Sequence, residues 1–167
     1  MKHFHSKLFT PGPVEVRPEI LNAMATPQIH HRSPECADLY AELQPKLKKF
    51  LYTDQTVFLF TSSSTGAMEA AVQNTVRKKC LNLVNGAFSK RWHEITKACG
   101  LPCEALENPW DKAIKPEQVE EKLASGEFDA ITLVYNETST GLLNPLPEIA
   151  EVVHRFPDVM LLVDAVS

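Results

Sequence analysis

Four short polar segments of this chain could do chemistry, and each directly follows an apolar run. The first is Thr61-Ser62-Ser63-Ser64-Thr65-Gly66. Small residues let a backbone come close to an anion, and the free N–H groups of a following helix bind phosphate with help from the helix dipole. The hydroxyls of Ser64 and Thr65 can add bonds. The segment lacks the Gly-Lys-Ser/Thr ending of a P-loop, and simple N-capping accounts for the same composition. The second segment, Asn85-Gly86-Ala87-Phe88-Ser89, offers Phe88 as a surface for a flat ligand, or as ordinary core. The third, Asn136-Glu137-Thr138-Ser139-Thr140-Gly141, has hydroxyls that could bond to a ligand oxygen; a turn closed by Gly141 is the alternative. In the fourth, Asp164 follows Leu161-Leu162-Val163. A carboxylate at the end of a buried strand needs a partner. That partner could be a protonated ring nitrogen of a cofactor, or a neighbouring Arg, Lys or cap.

Placing these four segments together requires a particular scaffold. Thr56–Phe60, Cys80–Val84, Pro102–Leu106, Asp129–Tyr135 and Val159–Val163 read as strands, the first as one buried on both faces. Helices are expected over 66–78, 89–99, 116–124 and 146–156. Strands alternating with helices through short connections imply right-handed crossovers and a mostly parallel sheet. Ligands of such sheets bind beyond the carboxyl ends of the strands, which is where the four segments fall. Upstream, 18–25 reads as a short helix starting near Pro18, and 35–52 as a longer one with Leu39, Leu43 and Leu47 on one face and Pro45 as a kink.

The bulk composition excludes several classes. The 167 residues suffice for one domain with a real core. Hydrophobic residues at 44% and charged residues at 23% are ordinary for a globular protein. A net charge of -4 and no basic block beyond Lys46-Leu47-Lys48-Lys49 argue against nucleic acid. No run approaches a membrane span, and Met1–Ser6 has no signal-peptide core, so cytoplasmic is the expected compartment. The four cysteines fit reduced, structural thiols there. Neither Cys99/Cys103 nor His30-His31 has a metal-site spacing. His93 and Lys78, Lys79 and Lys90 are expected to face solvent.

Taken in order, the motifs resemble those of a known family. They are Leu8-Phe9-Thr10-Pro11-Gly12-Pro13, His31-Arg32-Ser33-Pro34-Glu35, Ser63-Ser64-Thr65-Gly66-Ala67-Met68-Glu69, Asn85-Gly86-Ala87-Phe88-Ser89, Asn136–Gly141 and Val163-Asp164-Ala165-Val166-Ser167. The set is similar to class V aminotransferases, fold type I enzymes that use pyridoxal 5'-phosphate, and most similar to the alanine/serine–glyoxylate aminotransferases. The resemblance implies an α/β fold: the large domain of a fold type I transferase, three layers α/β/α around a mostly parallel sheet, truncated. Residues 1–34 would be an N-terminal arm and loop, and 35–167 part of the cofactor-binding domain. The rest of that domain and the small domain would lie beyond the chain.

The same resemblance implies roles for single residues. Ser64 and Thr65 would hold the cofactor phosphate. Phe88, where many relatives have tryptophan or tyrosine, would stack on the pyridine ring. Ser139 would bond to the ring oxygen, Asp164 would pair with the protonated ring nitrogen as the catalytic carboxylate, and Val166 would pack on the ring's other face. Gly12, in the arm, would lie near the substrate. The implied reaction is amino transfer from a small amino acid such as alanine or serine to a 2-oxo acid such as glyoxylate, in a homodimer. The family's Schiff-base lysine falls beyond Ser167, as does its substrate-binding arginine, so residues 1–167 alone are expected to be inactive. A catalytically silent fragment or dimerisation module, or a pyridoxal-phosphate lyase or desulfurase of the same fold, are the alternative readings.

Overall fold

Of the five strands expected from the apolar runs, four form. The computed structural model describes residues 7–10 and 12–167 and separates into two units, residues 1–58 and 59–167. Residues 1–6 and Pro11, within the expected N-terminal arm, lie outside the described residues.

The first unit carries two helices, α1 (Pro18–Met24) and α2 (Pro34–Leu51). Each begins with proline in its first turn, where a missing N–H costs nothing. Ser33 caps α2 by accepting from the Cys36 amide at 3.3 Å. The helix runs on through Pro45 and ends at Tyr52, whose φ of 52° is left-handed. The strand expected at Thr56–Phe60 is absent. The segment has no ladder partner among the described residues, and Phe58, Leu59 and Phe60 are exposed. Apolar residues make a strand only when a neighbour takes up the backbone groups. Here the side-chain amide of Gln44 does so at one residue, accepting from Val57 N at 3.3 Å and donating to its carbonyl at 2.7 Å.

The second unit is a three-layer α/β/α sandwich. Its strands are β1 (Cys80–Val84), β2 (Cys103–Glu107), β3 (Ala130–Val134) and β6 (Met160–Asp164), all parallel in the order β2-β1-β3-β6. A hairpin of β4 (Asn136–Glu137) and β5 (Leu142–Leu143) follows β3. β1 and β3 are buried along their whole length, in keeping with their largely apolar character. The period of two divides their side chains between two helical layers. Leu81, Leu83, Ile131 and Leu133 face Val119, Leu123, Ile149 and Val153 of α5 (Pro116–Leu123) and α6 (Leu146–Val153). Cys80, Ala130 and Val134 face Met68, Val72 and Trp92 of α3 (Ser64–Thr75) and α4 (Ala87–Ala98). Each fully buried leucine or isoleucine contributes about 1.5–3 kcal/mol.

Polar residues on the α3/α4 side pair with one another. Asn82 donates to Thr132 Oγ1 at 2.9 Å and Thr96 Oγ1 at 3.2 Å, and its carbonyl meets His93 Nδ1 at 2.9 Å. His93, expected at the surface, is therefore half-buried, and burial holds its imidazole below the usual value. The Asp129 carboxylate accepts from the successive amides of Arg77, Lys78 and Lys79 at 2.7–3.1 Å, which fixes the turn between α3 and β1. The buried Cys80 thiol is pushed up to about 12 by desolvation, which makes it inert.

Lys79, also expected to face solvent, is instead tied to Glu104 at 2.7 Å and Glu127 at 2.9 Å. Glu104 takes a second cation, Lys122, at 2.6 Å. Hydrogen bonds from Lys122 and Lys79 hold its carboxyl at about 2. A carboxyl lowered by folding stabilises above its unfolded value of about 4.3, and that contribution is lost as pH falls toward the folded value. The thermal midpoint is thus expected to drop between pH about 4 and about 2, and to drop less steeply in Glu104→Gln. Parallel pH profiles for parent and variant would show that this network contributes nothing.

Candidate functional site

α3 starts two residues earlier than expected, at Ser64, so Ser64 and Thr65 sit in its first turn. Ser63 at the N-cap makes no side-chain cap bond, and the first turn holds no acidic residue. The start of this helix therefore keeps N–H groups and a positive dipole end open to an anion. Gly66 is needed here because a β-carbon would come within 2.6 Å of Ser62 Oγ.

A cleft of about 420 Å³ opens beside this helix start. Ser64, Ala67 and Ala71 of α3 form one wall, and β6 with Asp164, Ala165 and Val166 forms the other. Met68, Trp92 and Leu162 make an apolar floor, and the Trp92 indole is satisfied by Met68 O at 3.3 Å. Asp164 Oδ1 accepts from the Val166 amide at 3.0 Å. Among the described residues its other oxygen takes no hydrogen bond. An anion site, an apolar slot and a carboxylate thus share one cleft.

A second cluster lies where β1 and β3 end. β1 connects outward to β2 while β3 lies on its other side, so this is the switch point at which parallel sheets bind ligands. Glu137, fully buried, is at its centre. Its carboxylate accepts from Ser139 Oγ at 2.6 Å, Ser89 N and Ser89 Oγ at 2.9 Å each, and Phe88 N at 3.2 Å. Burial pushes the carboxyl up, but the bonds from Ser139, Ser89 and Phe88 outweigh it and hold it below its usual value. Beside it, Asn144 and Asn85 pair at 2.9 Å, and Asn144 also reaches Val134 O and Ile114 N. Gly141 closes the hairpin with φ +73°.

The structure thus gathers Ser64, Asp164 and Val166 around one cleft, with Thr65 next on the helix. Phe88 and Ser139 do not line that cleft. They belong to the switch-point cluster, where Phe88 is partly exposed with Arg91 5.9 Å from its ring. The Ser139 hydroxyl donates to Glu137 and accepts from Ala87 N at 3.0 Å. Gly12 is exposed in the first unit. Sequence reasoning passed over Glu137. Its signal was an acidic residue two positions beyond a buried strand with no basic residue beside it. Among the described residues no group of three or more His, Cys, Asp or Glu could hold a metal, and no helix is long and apolar enough to cross a membrane.

Comparison with known proteins places these features in context. The model of the aminotransferase class-V family matches residues 17–167. An uncharacterized aminotransferase of Methanocaldococcus jannaschii is 42% identical over 163 residues, which span 96% of this chain and 42% of that protein. Serine–glyoxylate aminotransferase of Methylorubrum extorquens is 34% identical, over 96% of this chain and 42% of its own length. The crystal structure of a Thermus thermophilus aspartate aminotransferase superposes with a TM-score of 0.84 at 34% identity, covering 95% of this chain and 45% of that one. The chain spans less than half the length of each.

Proposed function

The chain belongs to the class-V aminotransferases, and from that premise we propose that its cleft holds pyridoxal 5'-phosphate, the cofactor of the family. One observation carries the reading: the open N-terminus of α3 and the Asp164 carboxylate border one apolar-floored cleft. The residues suit the group. Ser64, Thr65 and the first amides of α3 take the phosphate. Met68, Trp92 and Leu162 accept the flat ring, with Val166 against it. Asp164 offers the oxygen that keeps a ring nitrogen protonated. Phe88 stacks and Ser139 bonds to the ring oxygen from the switch-point cluster. When bound, the cofactor supplies an electron sink for the bonds at the substrate's Cα.

The reaction we assign is amino transfer from a small amino acid such as alanine or serine to a 2-oxo acid such as glyoxylate. We assign Gly12 to the substrate-binding residues and take the working form as a homodimer. The names of relatives that use serine and glyoxylate support the choice of substrates. Among the described residues no lysine lines the cleft, so residues 1–167 hold the cofactor without a covalent bond.

Titrating pyridoxal 5'-phosphate into the protein while following tryptophan fluorescence tests the reading, because Trp92 floors the cleft. Saturable quenching that inorganic phosphate competes away is expected. Borohydride treatment of residues 1–167 should label no lysine. The absence of saturable quenching, or one stoichiometrically labelled lysine, would overturn it.

A further inference from the structure

The proposed cofactor contacts do not account for the most heavily bonded carboxylate in the unit. Glu137 is fully buried, and among the described residues no cation partners it. Among the described residues its negative charge is met by the Ser89 and Ser139 hydroxyls, by the Ser139 amide at 3.4 Å, and by the Phe88 and Ser89 amides, which lie in the first turn of α4. A helix start favours a charge in that position. A helix can be capped by a neighbour in sequence, yet this carboxylate comes from 48 residues further along the chain. Gly86 is shaped around it, since a β-carbon there would stand 2.2 Å from Glu137 Cγ.

What Glu137 joins is informative. On one side it holds the start of α4, which carries Phe88. On the other it holds the Ser139 hydroxyl, whose oxygen is also bonded to Ala87 N. A hydroxyl has one hydrogen. While that hydrogen is on Glu137, Ser139 can receive a further hydrogen bond but cannot donate one.

Resting on the reading of a pyridoxal 5'-phosphate site, we propose that Glu137 is a positioning residue, which holds Phe88 and Ser139 as one unit and sets the direction of the Ser139 hydroxyl toward the cofactor. Its effect reaches the cofactor through Ser139 and Phe88 and not by direct contact. Losing the charge frees the Ser139 hydroxyl to turn and loosens the first turn of α4, so the ring is held in a different pose.

The experiment is a double-mutant cycle in the protein expressed from its whole reading frame, with Glu137→Gln, Ser139→Ala and the pair. Two quantities are read: the dissociation constant for pyridoxal 5'-phosphate, and the induced circular dichroism of its bound absorption band. E137Q is expected to weaken binding about tenfold, the weight of one charge-assisted hydrogen bond, and to change the induced signal. The pair should bind more weakly than S139A alone but by less than the sum of the two single losses, because the part of the Glu137 effect that runs through the Ser139 hydroxyl is already gone in S139A. Additive losses, or an unaltered induced signal in E137Q, would overturn the proposal. If E137Q does not fold, Ser89→Ala replaces it, removing one donor from the same carboxylate; unchanged affinity and signal there also overturn the proposal. Asp164→Asn is the control for the site itself. If D164N binds the cofactor like the parent, the cofactor reading fails. If D164N weakens binding and E137Q does not, only the role of Glu137 fails.

Discussion

Gly86→Ala is expected to melt roughly 10 °C below the parent protein, from a loss of about 3 kcal/mol. The backbone conformation is not the obstacle, because φ of 178° is extended and open to alanine. Room is the obstacle. The new methyl would lie 2.2 Å from Cγ, 2.3 Å from Cδ and 2.8 Å from Oε2 of Glu137. Glu137 cannot swing aside freely, since Ser89, Phe88 and Ser139 all bond to its carboxylate. Moving it leaves a buried charge short of partners, which adds to the steric cost. Gly126→Ala is the comparison. That glycine has φ of +70° and nothing within 4 Å, so alanine there meets only the left-handed penalty of about 1–2 kcal/mol. Melting curves for the two variants decide the matter, and equal midpoints would show that the Gly86–Glu137 contact relaxes without loss.

In the protein expressed from its whole reading frame, Asp164→Ala is expected to lower affinity for pyridoxal 5'-phosphate by about two orders of magnitude, and the proposed transamination between serine and glyoxylate by more. Among the described residues the carboxylate is the one acidic group lining the cleft. Removing it leaves a protonated ring nitrogen without its partner, a loss of about 3 kcal/mol when the pair is shielded from water. The fold should tolerate the change. Asp164 is half-buried, and its side chain makes one hydrogen bond, to the Val166 amide next to it in sequence. Far-ultraviolet circular dichroism should therefore match the parent. Parental cofactor affinity in this variant would overturn the cofactor reading.

The four polar segments stand at strand ends because the chain alternates apolar runs with amphipathic ones, and this pattern is local. It is why β1, β3 and β6 and the helices between them were legible, whereas the division of Leu81 and Leu83 from Cys80 and Asn82 between two layers came only with the structure. Thr56–Phe60 has the same local pattern and forms no strand. Strand formation depends on a neighbour for the backbone groups, which a segment's own composition does not supply. Lys79 and His93 were misplaced for a related reason. Their exposure depends on Glu104, Glu127 and Asn82, residues brought near them by packing and not by sequence proximity.

By itself, the sequence determined the parallel α/β sandwich, the phosphate-suited start of α3 and the carboxylate closing β6, since each is set by residues adjacent in the chain. Tertiary structure alone decided how those parts are grouped. It put Ser64 and Asp164, a hundred positions apart, on one cleft, and drew Phe88 and Ser139 to Glu137. The physical reason lies in the sheet order: β3 pairs directly with β1 while β2 is sent to the far side, and that crossover brings the hairpin after β3 against the start of α4. A buried carboxylate is stable there because α4 turns its open amides toward it and Ser89 and Ser139 add their hydroxyls, a match that exists once the chain has folded.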